Sequence, residues 1–153
     1  MTTDISQTQD PELFRSVHHL VMPSTGDRTY VGLTGVVLAT LRGTSEEQWR
    51  GETFRISVSL RNAAVDAGFP STHWFRAVHW TAFATLSSIF NDEEANDAGW
   101  AVNAFRLEDP PLLRGAAPLI VETAVRDTDG FILRLGYNIA MLGTFEPSPP
   151  GPE

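Results

Sequence analysis

The sequence has no cysteine, so disulfides, thiolate nucleophiles and cysteine-ligated zinc are all excluded. It has no lysine either. All eleven basic residues are arginine, which removes Schiff-base chemistry through a lysine amine. Only four histidines are available to titrate near neutral pH. No stretch of about 18 consecutive apolar residues occurs, so no membrane-spanning helix is expected. Phosphate-binding loops are missing too: the glycines of "GLTG" (32–35) lack P-loop and dinucleotide spacing. There is no Gly-x-Ser-x-Gly elbow. Positive charge is scarce, with a net charge of −8. That argues against non-specific binding to nucleic acid or to anionic membranes, both of which depend on basic patches. The opening "MTTDISQTQDPE" lacks the apolar core of a signal peptide. The expectation is a soluble cytoplasmic protein with neither a nucleic-acid nor a membrane partner.

What is present suffices for one core-forming domain of 153 residues. Residues 1–9 read as a disordered polar tail, 10–146 as a single β-rich domain and 147–153 as a Pro-rich disordered tail. "DPELFRSVHHLV" predicts a short helix. Asp10 can cap it, Pro11 suits the first helical position, and Leu13, Phe14, Val17, Leu20 and Val21 fall on one side. Strands are predicted at 30–42, 53–61 and 99–107. The second of these alternates cleanly, with Phe54, Ile56, Val58 and Leu60 on one face. Near the end, "PLIVETAVRDTDGFILRLGYNIA" predicts a hairpin around a three-residue loop, Thr128 to Gly130. Val125 then opposes Leu133, Thr123 opposes Leu135 and Val121 opposes Tyr137.

The stretch "THWFRAVHWTAFATLSSIF" (72–90) carries one formal charge, Arg76. As a helix it would bury Phe75, Val78, Ala82, Leu86 and Ile89. As a strand it would carry Trp74, Arg76, Val78, Trp80, Ala82, Ala84 and Leu86 on one face. The other would hold His73, Phe75, Ala77, His79, Thr81, Phe83 and Thr85. Its aromatic, Thr and Val content, with no Glu, Gln or Lys, favours the strand. A strand of this length needs a bend or bulge, expected near Ala82 to Thr85. Both faces are largely apolar, so the face turned away from the core must meet a helix, a loop, a ligand or another subunit.

Three groups of residues are candidates for chemistry. His73, His79 and Tyr137 could serve acid–base catalysis; half-buried structural histidines are the plainer account. Trp74, Arg76 and Trp80 could form a cation–π binding patch or an interface hot spot. Asp92, Glu94 and Asp97 in the acidic stretch 91–100 supply oxygen ligands of the calcium type without EF-hand spacing, so a solvated acidic loop is the simpler account. No cofactor is implied. The fold expected is mainly β, an antiparallel β-sandwich with a short N-terminal helix. Alternatives are a closed β-barrel and an α+β fold with a sheet wrapped on a helix at 72–90. The function expected is a non-catalytic, homo-oligomerising binding or assembly module. The alternative is a small β-barrel protein or cyclase-like enzyme holding an apolar small molecule in an interior cavity.

Overall fold

A computed structural model of the chain describes residues 2–23, 26, 28–41, 49–60, 62–91, 99–108, 112–126 and 131–147. Among these residues nine strands form two facing sheets. One sheet contains β1 (Thr2–Ser6), β4 (Trp49–Ser59), β8 (Ala116–Arg126) and β6 (Gly99–Leu107), in that spatial order. The other runs β2 (Phe14–Pro23), β3 (Thr29–Leu41), β9 (Phe131–Glu146), β5 (Trp74–Asn91) and the two-residue β7 (Leu112–Leu113). All pairings are antiparallel except β1 with β4. The arrangement is the expected β-sandwich. It is not closed into a barrel, and 72–90 is a strand rather than a helix.

Alternation builds the core. Phe54, Ile56 and Val58 of β4 are at most 1% exposed, while Arg55 between them faces outward. Across the gap, Leu135, Ile139 and Met141 of β9 and Val31, Leu33 and Val37 of β3 are buried to the same degree. Fully burying a side chain of this kind contributes about 2 kcal/mol. Gly35 faces the core directly opposite Tyr137. A Cβ there would collide with the Tyr137 ring, so the glycine is the space into which that ring packs.

Three sequence expectations are corrected. The N-terminal helix is a single 3₁₀ turn, Pro11–Leu13, begun by the Asp10–Pro11–Glu12 signal, after which the chain extends into β2. The segment 14–23 is rich in β-branched and imidazole side chains and poor in helix-surface residues, and pairing with β3 outweighs its helical periodicity. Residues 2–6, expected as a disordered tail, form β1. Ile5 is buried against Ile56, and the Gln7 side-chain oxygen accepts from the Ser59 amide at 2.9 Å. The predicted hairpin is not formed, because β8 pairs with β4 and β6 whereas β9 pairs with β3 and β5. The apolar faces of both strands were read correctly, but they meet across the core rather than side by side in one sheet. The turn at 127–130 and the tail at 148–153 lie outside the described residues. No helix among the described residues is long and apolar enough to cross a membrane.

Candidate functional site

The site is built on β5. This strand pairs with β9 over sixteen positions, with register shifts between Ala77 and His79 and between Leu86 and Ser88. The expected irregularity therefore falls at Val78 and Ser87 rather than at Ala82 to Thr85. A bulge inserts one unpaired residue and reverses the inward–outward order beyond it. Before the first bulge Phe75 and Ala77 point inward, opposite Phe145 and Gly143. After it the even residues point inward: Trp80 opposes Met141, Ala82 opposes Ile139 and Ala84 opposes Tyr137. Gly143 permits the close approach, since a Cβ there would collide with the Arg76 carbonyl.

This shift divides the candidate groups. Trp74 and Arg76 lie on the outer face, whereas Trp80 belongs to the inner face at its open side and is 38% exposed. Arg76 does not stack between the two rings. Its Nε donates to Glu146 Oε1 at 2.8 Å, and the guanidinium over Trp74 is that of Arg114, 5.4 Å from the ring centroid. The hydrogen bond from Arg76 holds the Glu146 carboxyl below its usual range, against the opposing effect of desolvation. His73 precedes the strand, stacked on Phe69 at 5.7 Å, while His79 stands exposed on the outer face. Tyr137 is buried in the core, edge-on to Phe14. The three catalytic candidates are thus in three different environments. Asp92, Glu94 and Asp97 lie outside the described residues, and no group of three potential metal ligands occurs among the described ones.

What the structure does bring together is the outer face of the five-stranded sheet. Register gives four rows across β2, β3, β9 and β5. They read Met22–Tyr30–Leu142–His79, Leu20–Gly32–Ala140–Thr81, His18–Thr34–Asn138–Phe83 and Arg15–Val36–Gly136–Thr85. Leu20, Met22 and Phe83 are 50–53% exposed, well above ordinary core neighbours. Between these raised edges the floor is small. The Tyr30 ring lies over Gly32, about 3 Å from where a Cβ would be, and Gly136 leaves space beside Thr85. Two open hollows result. One, of about 430 Å³, is lined by Tyr30, His79, Trp80, Thr81, Ala140, Met141 and Leu142, and the other, of about 400 Å³, by Ser16, Thr34, Gly35, Val36, Phe83, Thr85, Gly136, Tyr137 and Asn138.

Formal charge on the described positions of this face is confined to its borders, at Arg15, Arg76, Arg134 and Glu146. Although the chain has nineteen acidic residues, Glu146 is the only carboxylate among the described outer-face positions, and it sits at a corner paired with Arg76. Arg15 turns its Nη1 onto the backbone carbonyls of Glu12 and Phe14, and Arg134 is engaged within the chain as well. Sequence reasoning located the β5 half of this face as a doubly apolar segment. It missed Leu20, which the helical reading placed on the apolar side of the helix, and Met22, to which it gave no place. Their alternation with His19 and Val21 was the available signal. No protein-family model, curated protein or solved structure matches the chain.

Proposed function

We propose that the chain is a non-catalytic binding and assembly module that oligomerises through the outer face of its five-stranded sheet. The observation that carries this reading is the combination of exposed Leu20, Met22 and Phe83 with three central rows that carry no Asp, Glu or Arg in a strongly acidic chain. Contiguous apolar faces of this size mark interaction surfaces, and depletion of charge at the centre is the compositional signature of an interface. The two hollows are open rather than enclosed, which favours assembly over an interior ligand cavity.

The test is a charged substitution on the face beside a matched control off it. Leu20→Asp puts a carboxylate into the proposed interface. Val65→Asp does the same on α1 (Ala63–Asp66), where Val65 is 51% exposed. Leu20→Asp is expected to weaken self-association at least 30-fold by sedimentation velocity, the effect of losing about 2 kcal/mol at a hot spot. Val65→Asp is expected to leave it unchanged. Equal behaviour of the two variants overturns the assignment.

A further inference from the structure

We infer that the assembly is a two-fold, face-to-face pair in which β2 of one copy lies over β5 of the other. This rests on the assembly reading above and adds the occupant and its orientation. The face is large enough for a second copy. Four strands about 4.8 Å apart and about ten residues long give a projected area of roughly 650 Å². Accessible area on a corrugated surface exceeds its projection, which brings each side close to the ~800 Å² per partner of a standard interface.

The centre of the face points to the same occupant. Its described charged residues, Arg15, Arg76, Arg134 and Glu146, lie at its borders, and the three rows from Met22 to Phe83 carry no Asp, Glu or Arg. An apolar, uncharged centre is matched by a like centre, and a second copy brings one.

Packing then selects the orientation. Sheets stack with their strands roughly aligned, which leaves two two-fold arrangements. If β2 lies over β2, the rows reverse while the strand order is kept, and the hollow beside His79 and Thr81 faces the hollow beside Phe83 and Thr85. Two empty spaces then meet, which close packing disfavours. If β2 lies over β5, the rows are kept and the strand order reverses. Leu20 and Met22 of one copy then enter the hollow beside Thr81 and His79 of the other, and the two-fold repeats the contact.

The absence of cysteine makes the arrangement directly testable. Leu20→Cys and Thr81→Cys, both at exposed positions, are prepared separately, checked by circular dichroism, and oxidised alone and as an equal mixture. The expected result is a covalent dimer in the mixture and almost none from either variant alone. Cross-linking of Leu20→Cys with itself overturns the orientation but leaves face-to-face assembly standing. A dimeric mass by light scattering with no cross-link in any sample overturns the inference and moves the interface elsewhere. A monomeric mass overturns the assembly reading itself. If that monomer takes up the apolar probe ANS, and Phe83→Ser abolishes the uptake, the face belongs to a small ligand instead.

Discussion

Replacing Phe83 with serine separates association from folding. A phenylalanine side chain offers about 200 Å² for burial. Phe83 is 53% exposed, so roughly half of that area is left for a partner to cover, worth about 2.5 kcal/mol at 25 cal/mol per Å². A two-fold pair contains the residue twice, so the variant loses about 5 kcal/mol of association free energy, a several-thousand-fold rise in Kd. Within one copy, Phe83 makes one aromatic contact, edge-on to Phe105 at 5.2 Å. Its loss, together with the roughly half of the side chain already buried within one copy, costs about 3.5 kcal/mol of folding stability. Sedimentation velocity over a concentration series reads the first quantity. Urea unfolding, done where both proteins are monomeric, reads the second. The reasoning is refuted if Phe83→Ser associates within tenfold of the parent, or if its loss of folding stability matches its loss of association.

Two glycines of β9 should respond in opposite ways. Gly143→Ala drives a methyl into the Arg76 carbonyl and is expected to lower stability by about 2 kcal/mol or more. Gly136→Ala meets Thr85 at an ordinary 3.7 Å and should leave the urea midpoint unchanged or slightly raised. Glu146 should titrate below the usual carboxylate range in a carboxyl-detected NMR experiment, and Arg76→Ala should return it to that range. A depressed folded-state value means that the stabilisation is present above the unfolded pKa and is lost as pH falls through the folded one. Because the pair is exposed, the effect on global stability should be small.

The layers of the fold were legible because alternation reports which side chains are buried. The residues of β4 and β9 that read as apolar faces, among them Phe54, Ile56, Val58, Leu135 and Ile139, are buried in the core. Partnership was less legible. Leu119 and Val121 of β8 and Leu135 and Tyr137 of β9 all face the same interior, and a shared apolar face fits adjacent strands and opposing sheets equally well. The DTDG turn signal then pointed to the more local solution.

Two further readings failed for different reasons. In 14–23 the apolar residues satisfy a helical period, but the absence of Glu, Gln and Lys argues for a strand, as it does in 72–90. In β5 the strand assignment was right, yet the candidate patch depended on unbroken alternation. The Val78 bulge reverses that order, and it is fixed by the approach of β5 to Gly143, a contact about 65 residues away in sequence. Trp74 and Trp80 consequently fall on opposite faces, and the working surface shifts to His79, Thr81 and Phe83.

The most direct measurement is the solution mass of the unmodified chain by light scattering coupled to size-exclusion chromatography, from low to high micromolar concentration. A mass of twice the chain, falling toward one chain on dilution, is the predicted result. It would mean that a second copy covers part of the chain's surface, and the same measurement on Leu20→Asp then places that contact on the sheet face. One-chain mass at every concentration contradicts the account.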